Sequence, residues 1–345
     1  MSGESMRARA ALRPSVGTLR RVASCRAASS SASSRPLTVY YADWARVDLP
    51  DGHRFPMDKY ASARAALESD AQLRGKIHLR ESPRVDMEDL LATHCPEYVR
   101  RVITRTLSEK EIRAIGFPMA EQNVVRSLAS TGGTVACARE VLTQGARAAA
   151  QIAGGTHHAY RDRGEGFCVF NDIAVAIRVA QRDHADALRG RKILVIDLDV
   201  HQGNGTAKIF EDDPQVVTFS MHGANNYPIK TREKSTHDVE LPDDANDDMF
   251  LEQLALWLPR LFDDYDPSLV FFQAGVDALR EDSFGRLGLT RNGMLRRNNA
   301  VYSMCIARGV PLVITMGGGY SKPINASLDA HVDVFRSAAL RFTAP

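Results

Sequence analysis

From Leu37 onward, short runs rich in β-branched and aromatic residues alternate with longer stretches whose apolar positions recur with a helical period. The runs 37–41 (LTVYY), 192–197 (KILVID), 215–220 (QVVTFS), 268–273 (SLVFFQ) and 311–315 (PLVIT) read as strands. Each is short and almost continuously apolar, as a strand covered on both faces must be. The stretches 133–151, 172–182, 246–262 and 291–308 read as helices. Strand and helix in alternation predict an α/β domain built on a parallel sheet. No internal repeat and no Pro/Gly/Ser linker interrupts this pattern, so one domain over 37–345 is expected.

Composition narrows the class. The 345 residues are 44% hydrophobic and 25% charged, the mix of a soluble globular protein with a sizeable core. No apolar run reaches the roughly 18 residues of a membrane span. Cys25, Cys95, Cys137, Cys168 and Cys305 are scattered and never form a C-x-x-C pair, which argues against a disulfide framework or a thiolate metal site and fits a reducing compartment. The net charge of +2 hides an asymmetry: residues 1–36 carry seven Arg and the single acid Glu4, hence +6, leaving the body at −4. An acidic body offers no nucleic-acid footprint and tolerates a cationic substrate. The Arg/Ser/Ala-rich segment 1–36 reads as a transit peptide for the mitochondrion or chloroplast. Arg13, Arg20, Arg21 and Arg26 break every stretch that could serve as a secretory core. The alternative is a disordered tail on a cytoplasmic or nuclear protein. Oligomeric state is left open.

In open α/β sheets ligands bind beyond the carboxyl ends of the strands. Three predicted strands deliver polar residues there: Asp199 and His201 after KILVID, Asp277 after SLVFFQ, and Gly317-Gly318-Gly319-Tyr320 after PLVIT. Asp199 and His201 stand two apart in a segment leaving a strand, where side chains at i and i+2 share a face. With Asp277 they make a three-ligand site that leaves room for water and substrate. By ligand type such a site takes Zn²⁺, Fe²⁺ or Mn²⁺. An isolated Asp-x-His is more often a surface or capping pair. Here it follows Asp197 and runs into Gln202-Gly203-Asn204-Gly205, whose glycines allow close backbone approach. His157 and His158, set between Gly154-Gly155 and Gly166-Phe167-Cys168, are placed to supply a base and an acid. The Tyr320 phenol can donate to an oxyanion if its turn faces the metal. Cys168 packs in or narrows the pocket rather than attacking substrate.

Taken together, GGTHHA at 154–159, GFCVFND at 166–172, IDLDVHQGNGT at 196–206, AGVD at 274–277 and GGGY at 317–320 resemble the histone deacetylase family. The likeness runs from HRFPMDKY at 53–60 to the C-terminus, and with SMHGANNYP at 220–228 it looks most like the class IV branch. The resemblance implies a three-layer arginase/deacetylase-type fold with a mostly parallel sheet of about eight strands. It also implies Zn²⁺ and an acyl-lysine protein or peptide substrate, with small acylated amines such as acetylpolyamines and long fatty acyl-lysine as the alternatives. By resemblance Asp199, His201 and Asp277 are the zinc ligands, His157 and His158 the proton-transfer pair, and Tyr320 the oxyanion donor. Asp197 would orient His157, and Asn204, where other branches have Asp, would stand behind His158. Phe167, with Gly166 and Cys168, would line the substrate channel. A structural K⁺ would be held through Asp197, Asp199, His201, Ser220 and Met221. The exposed acid that clamps substrate backbone in some members is not placed by these motifs, which leaves a peptide substrate less firmly implied than the core chemistry.

Overall fold

The computed structural model describes residues 35–344 and shows eight strands: β1 (Leu37–Tyr41), β2 (Ile77–Glu81), β3 (Ala148–Ile152), β4 (Ile193–Asp197), β5 (Val216–Gly223), β6 (His237–Leu241), β7 (Leu269–Gln273) and β8 (Leu312–Thr315). The expected transit peptide, except for its last two residues, and Cys25 lie outside the described residues. All neighbouring strands are parallel, in the order β2-β1-β3-β8-β7-β4-β5-β6. The eight-stranded α/β sheet expected from the resemblance is therefore the one observed.

The strand sequences follow from their places in the sheet. β3, β4, β7 and β8 are buried at every position, because helices cover both faces and leave no solvent side for polar residues. The edge strands β2 (IHLRE) and β6 (HDVEL) alternate partly covered and exposed positions and carry charges. Exposed charged edges deter pairing with other chains.

One expected element is corrected. The stretch 133–151 is not a single helix: the helix runs Glu121–Thr143, and Ala148–Ile152 (AAAQI) is β3. Alanine favours helix locally, but pairing with β1 and β8 through Ala149, Ala150 and Gln151 outweighs that preference. The helices expected at 172–182, 246–262 and 291–308 are Asp172–Asp183, Asp247–Tyr265 and Arg291–Arg308. Side-chain oxygens of Asn171, Asn246 and Thr290 cap their N-termini. Glu121–Thr143 packs on Asp172–Asp183, while Arg291–Arg308 packs between Asp247–Tyr265 and Asn325–Phe342. These groups sandwich the sheet. No helix among the described residues is long and apolar enough to cross a membrane.

Candidate active site

The carboxyl ends of β3, β8, β7 and β4 are adjacent in the sheet, so the loops that follow them open side by side. They carry His157 and His158, Tyr320, Asp277, and Asp199 with His201, respectively. Residues separated by up to 163 positions, from His157 to Tyr320, thus line one cavity of about 610 Å³.

Asp199, His201 and Asp277 are buried, and each offers a ligand atom within 4.8 Å of the others. His201 Nδ1 lies 3.0 Å from Asp199 Oδ1 and 3.1 Å from Asp277 Oδ2. A ring nitrogen carries at most one proton, so it cannot satisfy both carboxylates. Buried acceptors converging in excess of protons call for a cation, and two carboxylates with one imidazole suit a divalent ion with an open position. The carboxylates are aimed by the backbone: Asp277 Oδ1 accepts from Val200 N at 2.9 Å, and Asp199 Oδ2 from Gly318 N at 3.0 Å.

The two histidine rings lie 4.1 Å apart, centre to centre, in opposite electrostatic settings. His157 Nδ1 is 2.6 Å from Asp197 Oδ2. In the metal-free arrangement burial opposes charge on His157, but the Asp197 and Asp199 carboxylates outweigh it and raise the imidazole to about 9. His158 Nδ1 instead meets the neutral Asn204 Oδ1 at 2.7 Å. Burial, followed by the positive neighbours His157 and His201, pushes His158 well below the usual imidazole range. Without a metal, the first ring is thus biased toward its protonated form and the second toward its neutral form. The loop before them is pinned by Asp172, whose carboxylate accepts from Gly155 N at 3.0 Å and Thr156 N at 2.7 Å. Gly155 has φ +75°, and a Cβ there would stand 2.0 Å from Gln273 Oε1, so only glycine fits.

Tyr320 faces the same cavity, with its backbone N–H donating to Asp282 Oδ2 at 2.6 Å. Burial, then the Asp277 and Asp199 carboxylates, raises the phenol well above its ordinary value and keeps its proton available for donation. Phe167 takes φ +66°, unusual for a large side chain. That turn sets its ring 5.1 Å from Phe55 and 6.1 Å from Tyr320, walling the cavity. Gly166 and Cys168 line it as well. Burial pushes the Cys168 thiol up, and its Sγ lies 3.4 Å from Gly166 O, so it remains a packed thiol. Of the residues expected to hold a structural cation, Asp197 and Ser220 are cross-strand partners, with Met221 next along β5. The Ser220 hydroxyl lies 2.9 Å from His222 Nδ1.

The family model for the histone deacetylase domain matches residues 53–335. This chain belongs to the histone deacetylase family. An uncharacterized protein of Picosynechococcus sp. is 40% identical to it over 303 residues, covering 87% of this chain and 97% of that one. Histone deacetylase 2 of Arabidopsis thaliana is 31% identical over 278 residues, covering 78% of this chain and 70% of its own. A solved histone deacetylase homolog from Aquifex aeolicus shares the fold, with a TM-score of 0.74 at 24% identity over 89% of this chain and 84% of the other. Membership makes the chain a deacetylase-type hydrolase.

Some residues that build this candidate site carry no signal in the sequence. Arg297, fully buried, donates to Leu198 O at 3.0 Å, Gly275 O at 2.6 Å and Ala274 O at 3.1 Å. It thereby ties the backbone just before Asp199 to that just before Asp277. Burial lowers this guanidinium to about 10. Its sequence neighbour Arg296 is also basic, and nothing in an Arg-Arg pair tells which side chain turns inward. Lys59, also buried, places Nζ 3.3 Å from Gly319 O and 4.9 Å from the centre of the Tyr320 ring. The HRFPMDKY motif contains it but gives it no role.

Gly318 yields a direct test of the assembly. A Cβ there would lie 1.9 Å from Asp277 Oδ2 and 3.0 Å from Asp199 Oδ2. Gly318→Ala must therefore displace both carboxylates, and divalent-metal affinity is expected to fall by about 10–100-fold, the usual cost of disturbing ligand orientation. Competition with a chromophoric chelator measures this. Unchanged affinity would show that these carboxylates are not the ligands.

Proposed function

We propose that this family member is a zinc-dependent hydrolase of the side-chain amide of N-acyl-lysine. The observation that carries the reading is the convergence of Asp199, His201 and Asp277 with the histidine doublet and Tyr320 on one cavity walled by aromatic rings. Asp199, His201 and Asp277 would hold the ion, which supplies Lewis acidity toward the acyl carbonyl and toward water. His158, neutral in its setting, takes a proton from the attacking water. His157, charged against Asp197, returns one to the departing amine. The Tyr320 hydroxyl donates to the oxyanion that forms on the acyl carbon. Phe167 and Phe55 enclose the aliphatic stem and keep water from it. The products are a carboxylate and a free lysine amine. The class IV likeness rests on GFCVFND at 166–172 and SMHGANNYP at 220–228, and a K⁺ held by Asp197, Ser220 and neighbouring carbonyls would stiffen the β4 and β5 ends.

The cavity wall favours acyl-lysine over acetylpolyamine. Among the described residues it contains no acid apart from Asp199 and Asp277, and it includes Arg54 and Arg113. An extended polycation would meet like charge there. Acyl-lysine peptides of graded acyl length and acetylpolyamines, assayed with and without a chelator, test the reading. Peptide turnover that the chelator abolishes is expected, with polyamines slower. Turnover indifferent to the chelator would remove the metal, and a polyamine preference would remove the substrate assignment.

A further inference from the structure

Behind His158 lies a carboxylate with no part in the chemistry derived above. Glu165 is buried, and its Oε1 accepts three hydrogen bonds: from Asn204 Nδ2 at 2.8 Å, Tyr227 OH at 2.9 Å and Thr231 Oγ1 at 3.1 Å. All three donors are neutral. A buried carboxylate held this way serves as a strong, fixed acceptor.

Asn204, fully buried, transmits that orientation. Its Nδ2 also lies 2.9 Å from Thr231 O and 3.0 Å from Tyr160 OH, while its Oδ1 faces His158 Nδ1 at 2.7 Å. Turning the amide over would set Oδ1 against the Glu165 carboxylate and the Thr231 carbonyl, two acceptors that cannot donate. The amide is therefore confined to one orientation. Its oxygen then requires a hydrogen on His158 Nδ1, which leaves Nε2 as the free lone pair. The backbone is shaped for the arrangement: Cys168 N donates to Glu165 O at 2.9 Å, and the positive φ values of Gly166 (57°) and Phe167 (66°) turn Phe167 into the cavity while Glu165 stays behind the histidine.

We infer that Glu165 is a positioning residue that, through the Asn204 amide, fixes His158 as the Nδ1–H tautomer with Nε2 free to act as base. The inference rests on the catalytic reading of His158 given above. It assigns the neutral-amide arrangement a device that an aspartate at the same place does not need, since a carboxylate accepts from His158 in either orientation.

The test is ¹⁵N NMR of the metal-loaded protein labelled at histidine, with His158→Ala identifying the resonance, alongside acyl-lysine kinetics. In the wild type, His158 is expected to show a protonated Nδ1 and an unprotonated Nε2. The opposite tautomer overturns the inference whatever the variants do. Glu165→Met should give a tautomer mixture and lower kcat by about 10–100-fold, with KM and metal content unchanged. Glu165→Gln, which retains an acceptor, should return both toward wild type. In an Asn204→Asp background Glu165→Met should no longer shift the tautomer, whereas a merely structural loss would persist. A wild-type tautomer in Glu165→Met overturns the proposal. Absence of turnover on every acyl amide, with the tautomer behaving as stated, would instead remove the catalytic reading and leave the relay.

Discussion

Tyr320→Phe is expected to lower kcat on acyl-lysine peptides by about 10²–10³-fold, the usual cost of one oxyanion donor, with metal content unchanged. The substitution removes one hydroxyl and nothing else that holds the ring. Tyr320 N still donates to Asp282, and the ring still packs 4.8 Å from Phe284 and 5.9 Å from Phe55. Stability should therefore stay close to wild type, and a melting curve run beside the kinetics checks that. The phenol is kept protonated by burial and by the two carboxylates behind it, so it is poised to donate when charge develops on the carbonyl oxygen and has little to offer a neutral ground state. The loss should accordingly fall on kcat more than on KM. Full activity in this variant would mean that the oxyanion is stabilised elsewhere.

The legibility of the sequence tracks which forces are local. β4, β7 and β8 are visible because double-sided burial demands continuous apolar runs. β2 and β6 are hidden by the charges that their edge positions require, and β3 by alanines whose intrinsic preference is overruled by its two neighbours. Asp199, His201 and Asp277 are legible for a related reason: each stands just beyond a buried strand, where parallel sheets place their ligands. Lys59, Glu165 and Arg297 are not legible. Charged residues usually face water, and these turn inward only because distant segments bring neutral donors or bare carbonyls to meet them. Even Phe167, named as a wall from its motif, owes its place to a φ of +66° that no pattern of apolar residues announces.

Asp277→Asn should separate the site from the fold. The amide oxygen can still accept from Val200 N, so the loop after β7 keeps its anchor, but the trio loses one of its two negative charges. Under the proposed zinc binding, the ion at 100 times its wild-type Kd would stabilise the native protein by about 2.7 kcal/mol, and that stabilisation should vanish in the variant over the same concentrations. Activity should drop by at least about 10³-fold, corresponding to the several kcal/mol a Lewis acid contributes to the barrier. The metal-free protein should respond in the opposite sense. Burial, then repulsion from Asp199, raises the Asp277 carboxyl from its ordinary 3.8 to about 7. A carboxyl raised in the folded state binds protons that the unfolded chain has released, so wild-type stability without metal falls as pH rises between those values. The asparagine has no such group to ionise, and its advantage in melting temperature over metal-free wild type should grow across that window. Thermal melts at pH 4 to 8, with and without zinc, read both effects. A variant that binds zinc like wild type would mean that Asp277 does not share a cation with Asp199 and His201, and metal-free stability that tracks wild type across the window would mean that burial does not raise the Asp277 carboxyl.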